Sequence, residues 1–240
     1  MRVNRLAQIL AARGIQGVVF PVYRRFDLLL PGSAWSDFST VALNDLRLGE
    51  YFDLICPDYY YNMDLAWREL GQGKDRRVGV VLSEDFDAAT NGLIRSCSLR
   101  YQDSALVRSR IPVLMLGSDR AEHCGQFAAW YRGHRPEVVV VPDGSVTEWM
   151  RIEAPEAEMV QLRAGDEGNP GVDECGADLA AAAIDCVADK IRRFQKGSGI
   201  RNQMHSLKGV WHGLGELTPT LGALPDLAAS PRDFALSRVA

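Results

Sequence analysis

The sequence predicts an α/β protein built on doubly wound parallel sheets. Short apolar runs rich in β-branched residues, such as EVVVVP at 137–142, alternate along the chain with segments whose apolar residues recur every three or four positions. The runs are apolar without interruption, which is typical of strands covered on both faces. Strands separated by helices in this way favour parallel sheets with helices on both sides.

The first half of the chain contains three predicted helices and four predicted strands. Apolar positions in 3–13 share one helical face, and Gly14 follows where a C-cap would end that helix. In 59–70 the apolar residues recur at i, i+3, i+4 and i+7, and Asp58 stands where an N-cap would. Turn-forming residues predict a loop over 23–37. The other elements of this half are strands at 17–21, 39–43, 52–56 and 77–82 and a helix at 87–101.

The second half continues the alternation and includes the longest predicted helix, 176–196. Leu179, Ala183 and Cys186 lie on one face of that helix, and Gly197 follows its basic end. The other predicted elements are strands at 111–116, 137–142, 158–162 and 204–211 and helices at 121–132 and 145–152. From residue 219 onward Gly, Pro, Ala and Ser dominate without a period, which predicts a poorly ordered tail.

Composition excludes several classes of protein. The 240 residues are 47% hydrophobic and 24% charged, enough for one large domain or two small lobes. A formal net charge of −4 argues against a surface that binds nucleic-acid phosphates. The five cysteines are odd in number and contain no CxxC pair, which indicates reduced thiols in a cytoplasmic protein. No apolar run reaches the roughly 18 to 20 residues of a membrane span.

Sequence signatures of catalysis are missing. The chain contains no GxSxG, no GxxxxGK[ST], and no GxGxxG between a predicted strand and helix. Its four histidines have no second histidine or cysteine at metal-ligand spacing, since the adjacent His123 and Cys124 would lie on different sides of a helix. The sequence therefore predicts no catalytic residue, no metal site and no cofactor.

Polar and aromatic residues instead follow the carboxyl ends of predicted strands, where open α/β sheets bind their ligands. Carboxylates that accept hydrogen bonds from hydroxyls, together with aromatic faces, suit a sugar-like polyol. The candidate ligand-binding residues are Asp58, Tyr60, Asp85, Asp143, Trp149, Asp173 and Glu174. Asp58 and Asp143 also precede helices, so each is interpreted equally well as an N-cap, and capping does not exclude contact with a ligand. Half-exposed packing is an equal alternative for the tyrosines at 59–61.

The order of these motifs resembles LacI/GalR-type transcriptional regulators. Segment 52–82 (FDLICPDYYYNMDLAWRELGQGKDRRVGVVL) is similar to the stretch in which that family has a strand ending in Asp, a helix, and a strand of the form RRIG. Segment 134–150 resembles the family's later strand, Asp and helix, and 171–187 resembles its crossover before an alanine-rich helix. KGVW at 208–211 stands where the last strand of the family usually reads EGRW. The resemblance covers about 1–215.

The resemblance implies the periplasmic-binding-protein-like type I fold, in which three crossings of the chain join two lobes. The crossings are expected near 83–85, 173–175 and 204–207. The N-terminal lobe is expected at 1–84 plus 174–206, and the C-terminal lobe at 85–173 plus 207–218, followed by the tail at 219–240. In such regulators a small sugar or metabolite effector binds between the lobes of a cytoplasmic homodimer and changes operator affinity by shifting the relative angle of the lobes.

Three departures from the family accompany the resemblance. The helix-turn-helix headpiece is missing, so operator DNA would be bound only through a headpiece outside this chain. The opening strand, helix and strand of the first lobe are missing as well, so we expect a truncated first lobe. The usual arginine after the first crossing is absent from 87–92, and Ala180 replaces a usual glycine. Two alternatives stay open: a solute-binding protein of a transporter, and an enzyme on a doubly wound sheet.

Overall fold

The structure, a computed structural model, describes residues 2–21, 32–71, 76–104, 110–163, 170–197 and 202–213. The helices in these ranges are α1 (Arg2–Ala12), α2 (Tyr59–Gly71), α3 (Glu84–Ala89), α4 (Leu93–Ser104), α5 (His123–His134), α6 (Thr147–Glu153) and α7 (Gly176–Arg192). The strands are β1 (Gly17–Pro21), β2 (Ser39–Leu43), β3 (Asp53–Pro57), β4 (Val78–Ser83), β5 (Leu114–Leu116), β6 (Val138–Val141), β7 (Glu158–Gln161), β8 (Gly171–Asp173), β9 (Met204–Leu207) and β10 (Val210–His212).

These strands form two sheets. The first has four parallel strands in the order β1-β2-β3-β9. The second has six strands in the order β10-β8-β7-β6-β4-β5, all parallel to their neighbours except β10, which runs antiparallel to β8. The predicted α/β class with largely parallel sheets is therefore confirmed.

Helices cover both faces of the second sheet, which explains its continuously apolar strands. In β6, Val138 and Val140 pack in one core with residues of α2 and α4, whereas Val139 and Val141 pack in another with Phe127 of α5. All four valines are buried. A strand that is covered on both faces has no polar side of its own, so its sequence does not alternate.

The first sheet is covered by α7 on one face. Leu179 and Ala183 of α7 pack against Val41 of β2 and Ile55 of β3. The other face packs on aromatic side chains, among which Phe20 lies edge-on to the ring of Trp35 at 4.8 Å. The predicted apolar stripe of α1 is only partly buried, because Ala7 faces the core while Leu6 and Ile9 stay 49% and 44% exposed.

The chain passes between the two sheets three times, and the crossings lie side by side. The first follows β3 at Asp58, since α2 packs against α4, β8 and β10 of the second sheet. The second links β8 to α7 through Glu174 and Cys175, and the third links β9 to β10 through Lys208 and Gly209. The backbone N–H of Asp58 donates to the carbonyl of Leu207 at 2.7 Å, which ties the first crossing to the end of β9.

Two predicted boundaries are corrected by this topology. β4 pairs with β5 and β6 of the second sheet, so 1–84 does not form part of one lobe and the first crossing does not lie near 83–85. The predicted strand 204–211 is two strands in different sheets, which moves the third crossing beyond 204–207. An apolar run identifies a strand but carries no information about which of two parallel sheets it joins, and this is why the boundaries were misplaced.

The predicted helix 87–101 is also two helices, α3 and α4. They are separated at Asn91 and Gly92, whose φ angles of 50° and 68° are left-handed and end a helix. The predicted tail at 219–240 lies outside the described residues. Within the described ranges, no helix is both long and apolar enough to cross a membrane.

Gly209 is required by the close approach of the second and third crossings. A Cβ atom at this position would lie 2.5 Å from Val172 Cγ1 and 2.6 Å from the carbonyl oxygen of Asp173. The N–H of Gly209 donates to Asn62 Oδ1 of α2 at 2.9 Å. The crossings therefore pack directly on one another and form the junction between the sheets.

Candidate ligand-binding site

A cavity of about 860 Å³ opens where the carboxyl ends of both sheets face each other. The first sheet contributes Asn44 and Asp45, which follow β2. The second sheet contributes the ends of β4, β5 and β6 and the helices that follow them, including Ser83, Asp143 and Trp149. This is the position at which open parallel sheets bind ligands, because the loops that follow the strands leave a crevice there.

Short polar residues end the strands of the second sheet because they also begin the helices that follow. Ser83 Oγ accepts a hydrogen bond from the N–H of Phe86 at 3.2 Å and caps α3. Asp143 Oδ1 accepts from the N–H of Ser145 at 2.9 Å and caps the short 3₁₀ turn after β6. Both residues also line the cavity. Because capping uses only one lone-pair direction of each side chain, each can still accept a hydrogen bond from a ligand.

On the first-sheet wall of the cavity, a buried carboxylate, Asp45, forms a bidentate ion pair with Arg47. Asp45 is 1% exposed and binds the Arg47 guanidinium through both oxygens, with Nε···Oδ1 at 2.9 Å and Nη2···Oδ2 at 2.5 Å. This hydrogen bonding raises the pKa of Arg47 against the opposing effect of burial. Next to it, the hydroxyl of Tyr59 on α2 donates to the carbonyl of Asn44, so a helix of the second sheet is fastened to the end of β2.

An ion pair spans the rim of the cavity. Arg47 Nη1, on the first-sheet side, lies 3.4 Å from Asp85 Oδ1 of α3 on the second-sheet side. The Asp85 side chain is 60% exposed, so solvent screens the pair and its contribution to stability is small. The pair marks where the two halves of the cavity wall meet.

Aromatic rings form one wall of the cavity. The Trp149 ring on α6 lies edge-on to His123, with ring centroids 5.9 Å apart, and 6.2 Å from the ring of Phe127. His123 Nε2 is 2.8 Å from the carbonyl oxygen of Gly117, which fixes the imidazole. Trp149 and His123 both line the cavity, and an indole held in this way offers a rigid apolar surface to a ligand.

Arg163, which follows β7, lies between this cavity and a second one of about 260 Å³, and lines both. Its Nε donates to Glu174 Oε2 at 3.2 Å, and its Nη1 lies 4.0 Å from Asp143 Oδ2. The smaller cavity is also lined by Asp173, whose Oδ1 accepts from the N–H of Cys175 at 2.7 Å. Asp173 Oδ2 lies 3.8 Å from His212 Nε2 on β10.

Burial changes the proton affinity of groups at the crossings. Desolvation raises the pKa of Glu174 to about 7, the Arg163 guanidinium opposes this, and the charges of Asp173 and Asp143 add to it. Burial likewise raises the pKa of the Cys56 thiol to about 12, with the negative charges of Asp58 and Glu174 adding to the effect. Glu174 is therefore a carboxyl group that titrates near neutrality at the junction of the sheets.

The structure brings five of the seven predicted residues to these cavities. Asp85, Asp143 and Trp149 line the larger cavity, and Asp173 and Glu174 line the smaller one. Their contact with a ligand stays a prediction.

Asp58 and Tyr60 line neither of these two cavities, and their contact with a ligand also stays a prediction. Asp58 Oδ1 accepts from the N–H of Tyr61 at 3.0 Å, which is the N-cap alternative. The Tyr60 hydroxyl accepts from Arg100 Nη1 at 3.1 Å on the exposed side of α2 and α4. Successive residues of a helix point about 100° apart, so Tyr60 faces away from the cavity that Tyr59 lines.

Several residues of the site are not among the candidates that the sequence predicts. Asn44 and Asp45 follow the strand at 39–43, and Arg163 follows the strand at 158–162, so the strand-end rule could have found all three. His123 has no partner at metal-ligand spacing in the sequence, and the described residues contain no group of three or more His, Cys, Asp or Glu that could hold a metal ion. Tyr59 lies in a run of three tyrosines, and only its phase in the helix distinguishes it from the other two.

Comparisons with known proteins identify the fold. No protein-family model and no curated protein sequence matches the chain. A solved structure of a LacI-family regulator from Rhizobium etli covers 90% of this chain and 83% of its own, with 16% identity and a TM-score of 0.63. A dimeric Lac repressor matches over 89% of this chain and 82% of its own, with 13% identity and a TM-score of 0.61. A LacI-family regulator from Enterococcus faecium with bound ribose matches over 88% and 82%, with 12% identity and a TM-score of 0.59.

At these identities the comparisons establish architecture. The chain has the periplasmic-binding-protein-like fold of LacI-type effector-binding cores, and the resemblance read from the sequence is confirmed at that level.

Proposed function

We propose that this chain is the effector-binding and dimerisation core of a LacI-type transcriptional regulator, and that it binds a small sugar-like or metabolite effector between its two sheets. The observation that carries the proposal is the 860 Å³ cavity at the facing carboxyl ends of two sheets that are joined by three adjacent crossings. Its volume lies within the range of about 300 to 1,000 Å³ that holds small ligands.

The lining of the cavity suits a polyol. Asp143 keeps acceptor capacity beyond its capping bond, and carboxylate oxygens accept strongly from ligand hydroxyls. Trp149 offers an apolar face for the C–H surface of a sugar ring. Because Asn44 belongs to the first sheet and Asp143 to the second, one ligand between them would contact both halves of the molecule.

Such a ligand would act by changing the angle between the two sheets. It shifts the equilibrium only by the difference between its affinities for the open and closed arrangements. In a cytoplasmic homodimer that change would reposition DNA-reading headpieces and so alter operator affinity. The structural neighbours are regulators, some with bound sugars, and no observation favours an enzyme or a transporter component.

Calorimetric titration with a panel of pentoses, hexoses, disaccharides and nucleosides tests the proposal, and we expect at least one to bind. Asp143→Asn should weaken its binding roughly 10- to 100-fold, the effect of losing a hydrogen bond to a charged group. Asp58→Asn is the matched control, since Asp58 also caps a turn of helix but lines neither cavity. Absence of binding across the panel, or equal losses in both variants, would refute the proposal.

A further inference from the structure

Arg163 connects the ligand cavity to the second crossing of the chain. It follows β7 of the second sheet and lines both the large cavity and the small one behind it. Its guanidinium hydrogen-bonds Glu174, which lies in the two-residue link from β8 to α7. A group that enters the large cavity near Arg163 is thus one side chain away from the link between the sheets.

Glu174 lies at the link between the two sheets, and its ion pair with Arg163 is largely shielded from solvent. Its side chain is 13% exposed, and that of Arg163 is 27% exposed, so solvent weakens their ion pair little. The residue that follows, Cys175, adopts a left-handed φ of 54° immediately before the first turn of α7, which packs on the first sheet. Glu174 therefore lies in the link that leads from the second sheet to α7 and the first sheet.

We propose that Arg163 is a positioning residue that couples ligand binding to the sheet junction, because a ligand that accepts hydrogen bonds from its guanidinium competes with Glu174 for it. This rests on the proposed function, since it assumes a ligand in the large cavity. Ligand binding would loosen the Arg163–Glu174 pair, release the second crossing, and let the sheets change their angle.

Proton binding at Glu174 provides a measurable sign of this coupling. The charged groups that act on Glu174 are Arg163, Asp173 and Asp143, and the Cys56 thiol lies near it. Asp58 acts on Cys56, and His212 lies next to Asp173. Of these, Arg163 is the cation that holds the Glu174 pKa down against burial and the neighbouring carboxylates. Drawing Arg163 toward a ligand would raise the Glu174 pKa further above about 7. Ligand binding should then take up protons, and affinity should fall as pH rises from 6 to 8.

A ligand-free experiment tests the pair itself. We expect hydrogen exchange at the amides of 175–179, corrected for its intrinsic pH dependence, to be about five-fold faster at pH 8 than at pH 6, because opening this segment returns the ionised Glu174 carboxylate to solvent. Glu174→Gln should abolish this difference, and Arg163→Gln should enlarge it, because the ionised carboxylate then lacks the cation that pairs with it. Arg151→Gln is the control, because it removes an arginine whose ion pair with Glu148 lies on the exposed surface of α6. Exchange that does not depend on pH in the unaltered chain would overturn the inference.

A second arm uses D-ribose and cellobiose as probes. For a probe that binds, affinity should be about five-fold higher at pH 6 than at pH 8, and calorimetry in buffers of different ionisation enthalpy should show proton uptake that Glu174→Gln removes. Binding without pH dependence overturns the coupling while leaving the proposed function intact. If neither sugar binds, that function loses support, and the exchange measurement decides the role of the Arg163–Glu174 pair.

Discussion

Replacing Glu174 by glutamine should change how the stability of the protein depends on pH. The carboxyl group lies at the sheet junction with 13% of its side chain exposed, and desolvation raises its pKa from 4.5 to about 7. Between these two values the folded protein binds a proton at Glu174 that the unfolded chain does not. Folding stability from this group is therefore fully present below pH 4.5 and is lost as the pH rises through about 7.

The magnitude follows from the size of the pKa change. A difference of roughly 2.5 pH units at about 1.4 kcal/mol each corresponds to about 3 kcal/mol of free energy of unfolding. Glutamine has nearly the same shape and stays neutral, so Glu174→Gln does not incur this loss. We expect the free energy of unfolding of the variant, relative to that of the unaltered protein, to rise by about 3 kcal/mol as the pH is raised from 4.5 to 8.

Urea denaturation of both proteins across this pH range measures the effect as the difference between their free energies of unfolding. Glu148→Gln serves as control, because the hydrogen bond from Arg151 lowers the pKa of that exposed carboxyl group. A carboxyl group whose pKa is lowered by folding stabilises the folded state at pH values above its ordinary pKa. Glu148→Gln should therefore lose a little stability at neutral pH. A Glu174→Gln difference that stays constant with pH would refute the reasoning.

Two further substitutions test the packing that supports the site, with denaturant unfolding as the measurement. Gly209→Ala should cost about 1 to 3 kcal/mol through its contacts at the crossings, whereas Gly125→Ala, in open space on α5, should be neutral or stabilising. Lys190→Met should cost about 3 kcal/mol, because the Lys190 ammonium, 6% exposed, binds Asp53 Oδ2 at 2.5 Å and its loss leaves a carboxylate without its cation. Adding Asp53→Leu should recover most of that loss, and a double variant as unstable as Lys190→Met would contradict this account.

The individual elements could be predicted because each is recorded locally in the sequence. The four valines of EVVVVP form β6 since each of their side chains faces a core, and the Asp58 cap marks the start of α2. Sheet membership is not recorded in this way. β3 and β4 are both buried parallel strands, and it is the pairing of β4 with β5 and β6, together with the contacts of α2 with the second sheet, that shows that the chain has crossed between them.

One general rule, that ligands bind at the carboxyl ends of parallel strands, predicts part of the candidate site. Residues at the carboxyl ends of strands face a crevice, and Asp143 and Trp149 were found on that basis. Tyr60 shows where the rule ends, because within a helix its ring points toward Arg100 while that of the preceding Tyr59 points toward the cavity. Arg163 obeys the rule but is cationic, and a search for carboxylates and aromatic rings passes over it.

The three crossings differ in what holds them, and this difference indicates which one can respond to a signal. The first is tied to the end of β9 by a hydrogen bond between backbone atoms, from Asp58 to Leu207, and the third by the N–H of Gly209 donating to Asn62. Neither bond uses a titratable group. The second alone among these contacts depends on an ion pair, between Arg163 and Glu174, with the arginine also lining the ligand cavity. A ligand or a proton would therefore act on the second crossing, while the other two crossings keep the two sheets joined.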